Sequence, residues 1–547
     1  MKIFNRLKFG TVWMGCFMLV VVLSCTKTKI EPVEIYPDPP KALVKFLDGA
    51  PSPAMGAEGS VVTFNVNGLK DMQGKFKFFI NQTEAEVVSA DENTVKVKIP
   101  LNASSGGSAV LINNEYYFGP SFTVKGKVSV DPLFNPDTYR SNGPIQGIFL
   151  RSDASTYLIY GSFTNYKDQA SATNTISGMA LLNRDGDYIA AASQLKMGKA
   201  GFNGPVLSAI QLSNGKYMVA GSFTKHDTVT NIYNTTRLNV DGTVETMVVD
   251  VVNPDPVNNP NDGHAVVPAF NGGTFGAINK MFYNPATGYT TAIGNFNAHV
   301  STFYERSTKN GPNLDLVEAR QLIRMNENGA FDSSYNFDRT TNKSYAGGNG
   351  FIYDALQLPG GNLILVGNFT SFSGTPTNYI TSINETDGLP DPMFNSGGSG
   401  ADGEISRITY NSTTGKILLT GNFKNYNGEP ANGIVMINAD GSRDPSFNFR
   451  VVEGGIPNFA GQLKNGKIIV SGSFNTYDGI VRPGLLVLNA DGSLASGYNN
   501  TGLFRGMINS FVETVTAGGI PGVILVGSFD RFDNKEVGNI IKLRIEN

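Results

Sequence analysis

Seven times along this chain an apolar run climbs into Gly-Ser-Phe or Gly-Asn-Phe. The copies are Gly161-Ser162-Phe163, Gly221-Ser222-Phe223, Gly294-Asn295-Phe296, Gly367-Asn368-Phe369, Gly421-Asn422-Phe423, Gly472-Ser473-Phe474 and Gly527-Ser528-Phe529. Successive glycines stand 60, 73, 73, 54, 51 and 55 residues apart. Self-similarity at such a period marks a repeat architecture, in which each unit buries its apolar face only against its neighbours. It also removes a chemical reading. A Gly-flanked serine at a strand end could serve as a nucleophile, but a position shared among seven copies of serine or asparagine cannot be seven active sites.

The surroundings repeat too. An apolar strand comes first, then a turn such as Asn214-Gly215 or Asn465-Gly466, then the strand ending in Gly-x-Phe. A third strand follows, as at 433–438, and closes with Asp-Gly or Asn-Gly at 185, 241, 328, 387, 440 and 491, where glycine supplies the positive φ of a tight hairpin. A short fourth strand is expected near Asp-Pro-x-Phe-Asn, as at 391–395 and 444–448. Four antiparallel strands repeated seven times predict an all-β chain with a seven-bladed β-propeller of four-stranded blades over 127–547. The last unit ends after its third strand, while Asp131 to Asn135 (DPLFN) precedes the first, so the segment near 131–135 is expected to complete the seventh blade. In the buried second strand each phenylalanine should be a knob against the next blade, with its glycine leaving room for one. These repeats resemble the delta-sixty family of propeller repeats of bacterial exported proteins.

Ahead of the repeats, residues 1–24 carry Lys2, Arg6 and Lys8, no acidic residue and an apolar stretch from Val12 to Leu23, the pattern of an export signal. Val22-Leu23-Ser24-Cys25 resembles a bacterial lipobox, which implies lipidation of Cys25. The proline-rich 25–40 reads as a tether. From 41 to 126 the chain alternates in the strand period, as in Val61 to Val66 and Val95 to Ile99, and predicts a small β-sandwich. Its Gly56-Ala57-Glu58-Gly59-Ser60, Val66-Asn67-Gly68-Leu69 and Ser105-Gly106-Gly107-Ser108 resemble the IPT/TIG immunoglobulin-like domains.

Without the leader, 40 basic residues face 46 acidic ones with no basic run, which argues against a nucleic-acid partner. One cysteine then remains, so disulfides and cysteine-held metals are excluded, and the three histidines, at 226, 264 and 299, lack zinc spacing. No cofactor or metal is expected.

The long insertions, 249–278, 297–321 and 338–350, all fall on one face of the disc, over the third and fourth units. They hold His264, Phe270, His299, Phe303, Tyr304, Arg306, Lys309, Asp315 and Tyr345, residue types that stack on sugars and bond hydroxyls, or that anchor long loops to a rim. Asp354, Glu404 and Glu513, with Arg407 nearby, fall on innermost strands and offer an alternative, a glycosidase or lyase with paired carboxylates. A lipid anchor, an immunoglobulin-like spacer and a large binding domain are together similar to the surface glycan-binding lipoproteins of Sus-type uptake systems. That similarity implies a non-catalytic outer-membrane lipoprotein with a polysaccharide or oligosaccharide ligand, or a scaffold for outer-membrane transport proteins.

Overall fold

Alternation decides the amino-terminal part. Along Val61–Asn67 the buried Val62, Phe64 and Val66 alternate with more exposed neighbours, and Thr94–Lys98 does the same with Val95 and Val97. Strands of this kind bury one face. In the computed structural model, which describes residues 43–134, 141–189, 195–197 and 199–546, eight such strands between 45 and 125 form one hydrogen-bonded series. Its core brings Phe64 within 4.8 Å of Phe78 and 5.9 Å of Phe122, ring centre to ring centre. The leader, Cys25, the tether and Asn135 lie outside the described residues.

Among the described residues, the rest of the chain gives seven sheets on one plan: first strand, Gly-ending second strand, third strand. Their first strands are Ile145–Leu150, Val206–Gln211, Ile278–Tyr283, Ile352–Gln357, Ile405–Asn411, Pro457–Gln462 and Arg505–Val515. Each first strand neighbours the next, and the last neighbours the first, so the strands enclose a central channel. The architecture is a β-propeller.

The repeated phenylalanines are all buried, at 4 % exposure or less, and each sits in a cluster shared with the preceding sheet. Phe369 packs with Ile293 and Leu322 of the third sheet, and Phe423 with Ile364 and Val366 of the fourth. Phe163 closes the circle against Ile524 and Val526 of the seventh.

The glycines do something other than expected. A Cβ on Gly221, Gly367 or Gly527 would lie 2.0 Å from a carbonyl oxygen at the start of its own first strand or one residue ahead of it, and on Gly161, Gly294, Gly421 or Gly472 within 2.4 Å. At Gly472 the Phe474 ring is also close, at 2.6 Å. The space is thus filled by backbone, because every first strand bulges opposite its glycine and brings its carbonyl inward.

The fourth strand also differs. In place of a ladder there are single bridges, such as Leu182↔Tyr188, Ile437↔Arg443 and Leu488↔Leu494. The Asp-Pro that follows cannot extend a ladder, since proline has no N–H and the aspartate turns the chain: Asp391 Oδ1 accepts the Met393 amide at 2.9 Å, and Asp444 Oδ1 that of Ser446 at 2.9 Å. The turn then clamps the next sheet, Asn395 N–H donating to Asp440 O at 2.6 Å and Asn448 N–H to Asp491 O at 3.0 Å. A real fourth strand exists in the seventh sheet, where Val128–Val130 pairs antiparallel with Leu543, Arg544 and Ile545, just ahead of the 131–135 segment.

Three residues after each repeated phenylalanine stands a ring: Tyr166, His226, His299, Phe372, Tyr426, Tyr477 and Phe532. The Tyr166, Tyr426 and Tyr477 hydroxyls donate to the Gly186, Gly441 and Gly492 carbonyls of the hairpin turns, at 2.9, 2.8 and 2.6 Å. His226, 2 % exposed, fills the slot in the second sheet against Phe202, and its burial lowers its pKa to about 4. An unfolded chain binds that proton near pH 6.5, so this contribution is intact above 6.5 and is lost as pH falls toward 4. His226→Phe is therefore expected to remove about 2 kcal/mol of the acid-side loss in stability, read as the difference between wild-type and variant denaturation midpoints at pH 7 and pH 4.5.

Val44–Asn547 form one compact unit, so the amino-terminal domain is fixed to the propeller. The Ser105 amide and hydroxyl both donate to Asn500 O at 2.9 Å, Asn500 Nδ2 returns to Val124 O at 3.2 Å, and the fully buried Arg482 donates to Asn102 O at 3.0 Å.

Candidate functional site

The three insertions do come together. Thr246–Asp250 and His264–Pro268 pair as a ribbon, Val252 bridges Thr308, Lys309 Nζ meets Asp262 at 2.9 Å, and Arg320 N–H donates to Ser344 Oγ at 3.2 Å. What the first two enclose is a cavity of about 30 Å³, one water's share, because Phe270, 3 % exposed, and the half-buried Tyr304 fill it. Burial raises the Tyr304 hydroxyl pKa to about 12.

The remaining candidates are dispersed. His264 is exposed and shares a 2.8 Å contact with Asp250; Phe303 lies under the Arg306 guanidinium at 4.6 Å; Asp315 is exposed, paired in register with Ser301; Tyr345 donates its amide to Asn336 O at 3.3 Å. His299 packs inside the fold. It is 2 % exposed and its Nε2–H donates to Gly329 O at 3.0 Å, the bond the tyrosine hydroxyls make in other sheets. Its ring belongs to the repeat, and lining the units up on the glycine would have found it.

The larger space is the channel, a cavity of about 610 Å³ that takes lining residues from all seven first strands. Those residues sit at the starts of the strands, the end that receives the blade-to-blade links and hence the face that carries the insertions. Asp354, 8 % exposed, accepts Lys280 Nζ at 2.7 Å, the Ala355 amide at 2.9 Å and the Ile408 amide at 3.2 Å. Burial alone would raise its pKa, but Lys280, Arg407 and these amides outweigh it and hold the carboxyl below the usual range. Arg407 Nη2 reaches from the fifth sheet to Asn509 Oδ1 of the seventh at 2.8 Å. Tyr353, 38 % exposed, donates to Glu404 Oε2 at 3.3 Å. Across the channel from these, burial first and the Asp354 charge second push Tyr160 up to about 12.

Chemically, Asp354 is an acceptor already engaged by three donors. Glu404 lines the cavity, whereas Glu513 accepts the Lys464 amide at 3.0 Å and does not line it, so the three carboxylates form no common site. Among the described residues no group of three His, Cys, Asp or Glu side chains is placed to hold a metal ion. The charges present, Lys280 with Asp354, Arg407 with Asn509 and Glu404 with Tyr353, are of both signs and mostly engaged, which leaves amides, hydroxyls and the Tyr353 ring to meet a ligand.

Fold and channel together define a β-propeller protein with an amino-terminal all-β domain. A family model described as a β-propeller domain of unknown function, DUF5122, matches residues 413–447 and 463–495, and another domain of unknown function, DUF5008, matches 39–120. No curated protein matches. Solved structures similar to this chain include the WD40 β-propeller domain of Doa1, 10 % identical over 77 % of this chain and 98 % of that one, TM-score 0.39. The β-propeller domain of Myceliophteria thermophila Cps50 (Swd1) is 8 % identical over 75 % and 100 %, TM-score 0.36. A protein of unknown function from Bacteroides thetaiotaomicron is 11 % identical over 93 % and 99 %, TM-score 0.24.

Proposed function

We propose that this chain is an exported, lipid-anchored binding protein of the cell envelope, with an IPT/TIG-type sandwich bearing a seven-bladed propeller whose channel holds a neutral, hydroxyl-rich ligand of saccharide type without chemical turnover. The leader and Cys25 support the location, and the sheet count supports the blade number. One observation carries the ligand class: a cavity of about 610 Å³ whose charges are mostly engaged and whose other polar groups are amides and hydroxyls beside an exposed ring. Tyr353→Ala is expected to weaken binding of neutral oligosaccharides about tenfold by isothermal titration, with unchanged unfolding. An undiminished affinity would move the site elsewhere. A second reading, a scaffold for outer-membrane proteins, is favoured by the ribbon Thr246–Asp250 and His264–Pro268, where the paired Val248 and Val266 are 70 % and 71 % exposed. Under it, crosslinked membranes retain a partner and oligosaccharides do not bind.

A further inference from the structure

Every first strand carries its bulge at the same place, and in each the extra residue is Gln146, Leu207, Asn279, Tyr353, Ser406, Asn458 or Asn509. All seven line the channel cavity, while the residue before each, such as Ile145, Val206 or Ile352, is buried in the sheet. A bulge re-aims a side chain. Here the fold repeats that device around the ring, holding the backbone constant through the glycine opposite and leaving the aimed side chain free to differ.

The seven residues are not equivalent. Three amides bridge to the following sheet: Asn279 Nδ2 donates to Ile352 O at 3.3 Å, Asn458 Nδ2 to Gly506 O at 3.2 Å and Asn509 Nδ2 to Ile145 O at 3.0 Å. Ser406 Oγ donates within its own sheet, to Thr420 O at 3.1 Å. Among the described residues, Gln146, Leu207 and Tyr353 make no such bond to the ring's backbone, and Tyr353 instead reaches Glu404. We propose that the bulge position is the selectivity position of this channel, with Gln146, Leu207 and Tyr353 contacting the ligand and the asparagines holding the ring. The ligand class rests on the saccharide reading above: a sugar ring lies on Tyr353, a hydroxyl donates to Glu404, and Gln146 both donates to and accepts from a second hydroxyl.

The test uses the full chain and two readouts. Cys16 and Cys25 are its two cysteines, so in a Cys16→Ala, Cys25→Ala background each new cysteine is the single thiol. Gln146→Cys, Leu207→Cys and Tyr353→Cys are expected to react with iodoacetamide at least about tenfold faster than Ser471→Cys, a site fully buried in the sixth sheet. In the native background, Tyr353→Asn, which installs the residue that the third, sixth and seventh sheets use, is expected to keep the unfolding midpoint. It should also change the order of preference among maltohexaose, cellohexaose, mannohexaose and xylohexaose by about tenfold or more. Equal labelling at the bulge sites and Ser471 overturns the assignment, as does a preference order that survives both Tyr353→Asn and Gln146→Ala. If wild type binds none of the four sugars, the saccharide reading fails, and the labelling rates alone then decide whether the bulge residues face the channel.

Discussion

Asp131→Ala should destabilise the folded chain by about 3–5 kcal/mol, read by chemical denaturation, because it strands two cations at the point where the ring closes. Asp131 is 1 % exposed, with Lys542 Nζ at 3.4 Å and Arg544 Nη2 at 3.3 Å, and Lys542 is itself 2 % exposed. Its backbone belongs to the same junction, the Asp131 amide donating to Lys542 O at 2.9 Å one residue beyond the closing strand Val128–Val130. Without the carboxylate, Lys542 keeps a carbonyl, Arg184 O at 3.3 Å, and the face of Phe134 at 5.6 Å, which do not neutralise its charge. The amides of Asp131 and Glu546, the latter bonded to Lys127 O at 2.9 Å, should then exchange with solvent faster than those of the other sheets. Adding Lys542→Met to Asp131→Ala removes one buried charge while keeping an apolar stem over Phe134, and should recover more than half of the loss. A cost below about 1 kcal/mol for Asp131→Ala would mean the group is solvated in the folded state.

Much of this was legible in residues, and what was not has a physical reason. The seven Gly-x-Phe copies reveal the sheets because wedging apolar rings between neighbours demands the same residue every time. The bulges left no comparable trace. A bulge is a property of register between two strands, and its only marks in sequence are a glycine on one strand and, on the other, an apolar column, Ile145, Val206, Ile278, Ile352, Ile405, Pro457 and Ile508, followed by a column that varies. Asp-Pro-x-Phe-Asn resembles a strand because its ring packs inward, whereas its aspartate and proline make it a turn. Phe394 and Tyr335 show what the ring does: they cover Gly441 and Gly388 of the next sheet's hairpin. The insertions were placed correctly in sequence, but aromatic residues in long loops fold inward as readily as outward, and Phe270 went inward. Tyr353 has no signature in sequence, because a single tyrosine in a strand carries no motif; its bulge and Glu404 make it a candidate.

The two halves of the repeat motif should fail in different ways. Phe369, fully buried between the third and fourth sheets with Ile293, Leu322 and Ile352, leaves a cavity when cut to alanine, and Phe369→Ala is expected to cost about 3–5 kcal/mol. The Ile352–Asp354 bulge stays in place in that variant, so at temperatures where it remains folded its oligosaccharide affinity should fall within about twofold of wild type. Gly367→Ala acts on the other partner. Its Cβ would stand 2.0 Å from Phe351 O, a contact no rotamer relieves, so the first strand must move away and carry Tyr353 with it. The expected stability cost is smaller, about 1–3 kcal/mol, yet binding should weaken about tenfold or more. Gly360→Ala, at the turn before the same strand and with nothing within 4 Å, supplies the neutral control. If Gly367→Ala binds as wild type does, the bulge does not aim Tyr353 at the ligand. If Phe369→Ala loses binding while folded, the wedge and the channel are one mechanical unit, and the glycine has no separate role in recognition.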